Sequence, residues 1–494
     1  MLNELYQPPL ALLTDLYQLT MAYGYWKLGR ADQHAVFHLF FRKPPFRGGY
    51  AVAAGLEQAL QYLERFRFEQ SDLDYLGSLT GNDGAPLFEQ AFLDYLGQTK
   101  LSVDVDAVQE GTVTFGQEPL LRVRGPILQC QLLETPLLNL INFQTLIATK
   151  SARIATAAGD DPILEFGLRR AQGIDGALSA SRAAYIGGST ATSNVLAGKM
   201  FGIPVKGTHA HSWVMSFDTE AEAFAQYAAA MPNNCVFLVD TYDTLDGVRQ
   251  ACKVGKKLRE QGHEMVGIRL DSGDLAYLSI EARKILDEAG FPKAAIVASN
   301  DLDEHIIENL KSQGSQIAIW GVGTKLATAF DQPALGGVYK LAAIQQADGT
   351  WQPKVKLSEQ AIKTSIPGTL QVRRYMEDGR MVGDMIYDEQ VGVDPRRVIV
   401  DSKDATRRKR LAETTSVELL RPAMQGGKRV AMAESLKDIR ERAQRQLASL
   451  HPTIRRFMNP HEYPVGLDIG LHELRDNMIH EARQARWQAE EDPS

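Results

Sequence analysis

Met265-Val266-Gly267-Ile268-Arg269-Leu270-Asp271-Ser272-Gly273-Asp274-Leu275 decides how the rest of the chain is read. Residues 265–270 have the length and apolarity of a buried strand, 271–274 form a polar turn, and 275–289 carry helical periodicity. That order is one βα unit, the repeating element of a parallel sheet. It recurs on both sides, with strands predicted at 162–166, 205–208, 236–240, 294–299, 317–321 and 338–341. Helices are predicted between them at 190–201, 220–230, 244–261 and 302–312. A series of this length predicts a barrel rather than an open sheet. Polar residues follow each strand, where barrel enzymes keep their active sites.

Upstream the pattern changes. A helix is predicted at 15–26, an alternating strand around Phe37, Leu39 and Phe41, and strands within 112–124 turned at Gly116 and Gly125. The expected organisation is an N-terminal α+β domain at 1–133, the α/β barrel at 134–346 and a mixed, largely helical region at 347–494 packed on the rest. The basic run Arg407, Arg408, Lys409 and Arg410 in that last region reads as a solvated face.

A chain of 494 residues exceeds what one core serves, and 44% hydrophobic with 23% charged residues is ordinary globular composition. With 54 basic and 61 acidic residues the net charge is -7. That balance opposes a general nucleic-acid or anionic-membrane binder, so any phosphate site must be local. Cys130, Cys235 and Cys252 have neither disulfide nor zinc spacing and read as core thiols in a reducing compartment. Residues 1–13 lack a basic leader pattern and no apolar run is long enough to span a bilayer, so a cytoplasmic location is expected.

The strand ends carry the chemistry. Glu165-Phe166-Gly167-Leu168-Arg169-Arg170 joins a carboxylate, an aromatic face for a flat ring and guanidinium forks for carboxylate or phosphate. Gly321-Val322-Gly323-Thr324 offers backbone N–H groups and a hydroxyl to a phosphate monoester. Arg269 and Asp271 alternate onto one side of a strand, where they can orient a ring substituent and hold ribose hydroxyls or a magnesium-bound pyrophosphate, or simply pair. Asp240 reads as functional, and Asp243 as a helix cap. His209 and His211 lack accompanying metal ligands at any recognisable spacing. His211, followed by Ser212, suits a nucleophilic or phosphate-accepting role, and His209 has no assigned one.

These residues resemble the nicotinate phosphoribosyltransferase family. The likeness runs from Thr14-Asp15-Leu16-Tyr17-Gln18-Leu19-Thr20-Met21 through 166–173, 186–198 and 207–217 to 321–341. The resemblance implies an incomplete α/β barrel with an N-terminal α+β domain, and a homodimer that shares its active sites. It implies that nicotinate and 5-phosphoribosyl 1-diphosphate give nicotinate mononucleotide and pyrophosphate, a salvage step toward NAD, with Mg2+ and with ATP hydrolysed through a phosphohistidine at His211. Phe166 and a partner's Tyr17 are then expected to sandwich the pyridine ring. Arg169 and Arg269 would hold the diphosphate or the carboxylate, Gly321, Gly323 and Thr324 the 5-phosphate, and Asp240 and Asp271 the ribose or magnesium side. Nicotinamide-using relatives place an aspartate before the helix at 190–201. Here Ser189 and Thr190 stand instead, which favours the acid substrate. A non-catalytic nucleic-acid-binding barrel is the rival reading, opposed by the net charge and by the absence of aromatics interleaved with the basic run.

Overall fold

The computed structural model describes residues 9–412 and 415–491. Most of the N-terminal stretch read for a leader, residues 1–8, lies outside them. The chain forms two compact units, one built from Met1–Thr145, Ala334–Ser435 and Arg445–Ser494, the other from Leu146–Pro333 and Leu436–Gln444. These units cut across the stretches expected at 1–133, 134–346 and 347–494, because strand pairing draws distant segments together.

The second unit holds a six-stranded, wholly parallel sheet in the order Ala191–Thr192, Ile163–Glu165, Ile319–Val322, Ala295–Ala298, Gly267–Leu270 and Val236–Leu238. Its strands bury Ile163, Phe237, Ile268, Ile296 and Trp320. Helices Thr244–Glu260, Leu275–Glu288 and Glu304–Ser312 each follow a strand, and each starts at an aspartate whose side chain accepts from a first-turn N–H. Asp243 takes that of Asp246, Asp274 that of Tyr277, and Asp303 that of Ile306. Such a cap contributes about 1 kcal/mol. The cap reading of Asp243 therefore holds.

Two expected strands are corrected. Residues 205–208 form no strand, since Val205 makes a single bridge to Thr192. Pro204 has no N–H to give a ladder, and the polar residues that follow do not fill a buried one. The edge position belongs to Ala191–Thr192, which delays the following helix to Val195–Phe201. The strand read at 338–341 exists, as Gly337–Gln345, but pairs antiparallel with His34–Phe41 in the first unit. A further helix, Gly173–Gly187, joins the first two parallel strands; its glycines and small residues hid its periodicity.

The first unit is antiparallel for the most part. Its seven-stranded sheet places Gly337–Gln345 and Leu420–Gln425 beside strands of the N-terminal third. A second sheet of six strands contains the buried pair Arg374–Asp384, with Tyr463 Oη donating to Asp384 at 2.7 Å. Among the described residues no helix is long and apolar enough to cross a membrane.

Candidate active site

A cavity of about 380 Å³ opens at the carboxyl ends of the parallel strands. Phe166, Arg169, Arg170, His211, Arg269, Asp271, Gly321, Gly323 and Thr324 line it, together with Ser193, Thr208, His209 and residues 299–301. Open α/β sheets bind ligands at this end because the strands stop there and their connecting loops diverge. Arg269 and Asp271 share the cavity, as alternation along one strand requires.

Glu165 is scaffolding. Its carboxylate is 1% exposed and accepts from the Gly167 N–H, from Ser181 Oγ at 2.8 Å and from Thr192 Oγ1 at 2.5 Å. A buried carboxylate satisfied in this way holds its surroundings in place and has little capacity left for a ligand. It fixes the turn that presents Phe166, whose N–H donates to Val322 O at 2.8 Å. The Phe166 ring lies so close to Gly321 that a Cβ there would sit 2.7 Å from Cε2. Gly321 is thus a glycine for ring clearance as well as for phosphate.

The acids divide by depth. The Asp240 side chain is 1% exposed, and its Oδ2 accepts from Asp271 N–H at 2.9 Å and Ser272 Oγ at 2.7 Å. Its Oδ1 has no hydrogen-bond partner among the described residues. Asp271 accepts from Ser299 Oγ and stays accessible from the cavity. His211 begins the short helix His211–Met215; its Nδ1 is 3.1 Å from Thr241 Oγ1, and its Nε2 is 3.9 Å from Asp240 Oδ1 and 3.8 Å from Asp271 Oδ2. Arg269 donates to Thr208 Oγ1. Burial disfavours its charge, and Asp271 and Asp240 offset that penalty.

Asn300 has φ +121°, a strained value for a residue with a side chain, and it stands on the cavity wall. Thr190 does not line the cavity; its hydroxyl donates to Ile163 O at 2.9 Å, and buried Ser189 pairs with Ser151 at 3.1 Å. Ser193 takes the wall position, which recognition of the short edge strand 191–192 would have revealed. Ser212 lies exposed on the first turn after His211. Tyr17 belongs to the other compact unit, 48% exposed on helix Leu16–Lys27. In that same unit burial lowers the Lys340 ammonium, Glu134 supports its charge, and Lys356 and Arg42 oppose it, so two further cations lie within electrostatic reach of Lys340.

Glu220, at the start of helix Glu220–Ala230, is pushed up to about 7, first by burial and then by Asp240, Asp243 and Asp246. An acid that keeps its proton to higher pH when folded makes folding less favourable as pH rises from about 4.5 to about 7. Glu220→Gln is therefore expected to unfold at a higher temperature than the parent at pH 8 and at nearly the same temperature at pH 5. Equal midpoints at both would dismiss the carboxylate cluster as a source of strain.

An aromatic face, three arginines, a glycine turn and one deep and one accessible acid at the mouth of a parallel sheet place the protein among the α/β enzymes that act on phosphorylated substrates. Comparison with known proteins narrows this. The nicotinate phosphoribosyltransferase family matches residues 162–394, and its N-terminal and C-terminal domains match 12–142 and 371–475. Nicotinate phosphoribosyltransferase of Bacillus subtilis is 46% identical over 96% of each chain, and the human enzyme 37% identical over 94% of this chain and 96% of its own. The crystal structure of the human nicotinic acid phosphoribosyltransferase superposes with a TM-score of 0.82 at 35% identity, covering 94% of this chain and 99% of that one. Nicotinate-nucleotide pyrophosphorylase from Pyrococcus furiosus shares the fold, with a TM-score of 0.68 at 20% identity over 90% of this chain and 98% of its own. The chain belongs to the nicotinate phosphoribosyltransferase family.

Proposed function

We propose that the cavity joins nicotinate to 5-phosphoribosyl 1-diphosphate, forming nicotinate mononucleotide and pyrophosphate for NAD salvage. The observation that carries this reading is the convergence of Phe166, Arg169, Arg269 and the Gly321–Thr324 turn on one cavity. The pyridine nitrogen attacks C1 of the ribose as the C1–O bond to pyrophosphate breaks. The nitrogen brings its own lone pair and needs no general base. Catalysis then rests on holding the two substrates in line and on stabilising the charge of the departing pyrophosphate. Phe166 stacks on the ring, Gly321, Gly323 and Thr324 hold the 5-phosphate, and Arg169 and Arg269 bind the diphosphate or the nicotinate carboxylate. Ser193 brings a hydroxyl to the wall where an acid would repel that carboxylate.

The unpartnered Oδ1 of Asp240 and the accessible Asp271 fit a Mg2+ ion that arrives on the diphosphate and keeps phosphate and water oxygens in its shell. Among the described residues no group of three or more His, Cys, Asp or Glu side chains forms a cage of its own. Bound there, the ion would neutralise charge on the leaving group. ATP would phosphorylate His211, which stands between those acids, and so couple its hydrolysis to nucleotide formation.

The strand order supports an incomplete barrel. In chain order the six strands follow one another around a ring, first beside last, with a seam between Thr192 and Val236. A homodimer with shared sites is supported by exposed Leu13, Leu16, Tyr17 and Met21 on one unit and Val195, Leu196 and Met200 on the other. Tyr17 of the partner subunit would complete the ring sandwich. The cytoplasm, a reducing compartment, suits three free and buried cysteines.

The test is a mass-resolved product assay with 5-phosphoribosyl 1-diphosphate and Mg2+, offering nicotinate and nicotinamide separately, each with and without ATP. Nicotinate mononucleotide should form preferentially, and faster with ATP. Product from nicotinamide alone would overturn the substrate assignment.

A further inference from the structure

His209 is the histidine that the reaction leaves unused. It is 8% exposed, with its ring centroid 4.8 Å from that of Tyr227 and 6.3 Å from that of Phe224. Its Nε2 accepts the backbone N–H of Leu238 at 3.3 Å, and its Nδ1 lies 3.4 Å from the Ala210 carbonyl oxygen. A backbone N–H can only donate, so Nε2 is unprotonated, Nδ1 carries the hydrogen, and the ring is neutral. Burial, which lowers this imidazole to about 4, agrees with a neutral ring.

The bond sits at the seam of the sheet. Val236–Leu238 is an edge strand, paired on one side with Gly267–Leu270. Val239 N–H points to that side and donates to Arg269 O, so the N–H of Leu238 points outward. Among the described residues no strand pairs with it on that side, and the nearby 204–206 segment bonds Thr192 through Pro204 O and Lys206 N–H. An orphaned buried N–H is costly, and the imidazole removes the cost where a ladder would otherwise stand. From this bond each chain runs on by two residues, one to His211 and the other to Asp240, whose side chains are 3.9 Å apart.

The geometry points to His209 as a positioning residue. By bonding Leu238 it pins the 207–211 loop to the sheet edge and sets His211 beside Asp240 and Asp271 for phosphoryl uptake. This rests on the reading of His211 as the phosphate acceptor. A loop released from the edge loses that register without losing any reacting group.

Two variants of the full chain separate the hydrogen bond from the packing. His209→Phe keeps an aromatic ring against Tyr227 and Phe224 and has no acceptor, whereas His209→Gln can bring an amide oxygen near the place of Nε2. Single-turnover labelling of His211 from γ-labelled ATP should slow by about tenfold to a hundredfold in His209→Phe, and His209→Gln should recover most of it. Amide exchange at Leu238 and across 207–211 should accelerate in the Phe variant alone, whose thermal midpoint should fall by a few degrees because the Leu238 N–H loses its acceptor, while that of the Gln variant stays near the parent. Unchanged labelling and exchange in His209→Phe, or a Gln variant no better than Phe, would overturn the proposal. If the parent chain takes up no label, the acceptor reading of His211 fails separately, and the exchange at Leu238 still decides whether His209 pins the loop.

Discussion

Replacing Arg269 by alanine is expected to lower kcat/KM for 5-phosphoribosyl 1-diphosphate by about 10²–10³-fold, or about 3–4 kcal/mol of transition-state stabilisation. The guanidinium lines the cavity, is largely removed from water, and has a buried Nε without a hydrogen-bond partner among the described residues. Its charge is maintained by Asp271 and Asp240, so its removal deletes a cation and leaves two carboxylates less compensated near a polyanionic substrate. Both effects oppose the growth of charge on departing pyrophosphate. Arg269→Lys restores the charge but not the planar fork, and should recover only part of the loss. Steady-state kinetics on all three proteins, with a thermal-unfolding control, make the comparison. An alanine variant with kcat/KM within about threefold of the parent would leave anion binding to Arg169 and Arg170 and end the role assigned to Arg269.

Much of the second unit was legible because βα units repeat a local pattern. Residues 265–270 and 317–321 announce themselves as short apolar runs, and the aspartates that follow announce either a cap or a site. The division between those two roles was readable at Asp240, which faces His211, and Asp243, which caps the helix; that Asp274 likewise caps its helix beside Asp271 emerges only from the fold. Illegible features depend on pairing or on depth. Strand Gly337–Gln345 has the same apolar look as its predecessors, and only its partner His34–Phe41 decides which sheet receives it. Ala191–Thr192 is too short to signal itself, which hid Ser193. Glu165 looked like a ligand group because nothing in a linear sequence places Ser181 and Thr192 around its carboxylate. The Leu238 N–H that His209 accepts is likewise invisible before the seam of the sheet is known.

His211→Ala should abolish the ATP dependence of the reaction, with the ratio of rates with and without ATP falling to about one and label from γ-labelled ATP absent from the protein. The argument is positional. Nε2 faces Asp240 and Asp271 at 3.9 and 3.8 Å, while Nδ1 is engaged with Thr241 Oγ1, so the ring is held from one side and presented from the other. A phosphoryl group added here would bring about two negative charges against two carboxylates, which is unfavourable unless cations or a substrate-borne Mg2+ share the space. Under this reading that repulsion would let the modification act at a distance from the bond being made: relieving it would favour whichever loop arrangement brings a cation closer, and the Mg2+ carried by the diphosphate would supply one. His211→Asn, which keeps a hydrogen bond to Thr241 within reach but cannot carry phosphate on a ring nitrogen, should fail in the same way as alanine. If either variant retained full ATP stimulation, the acceptor would have to be sought elsewhere, and the acids around His211 would be left with the substrate alone.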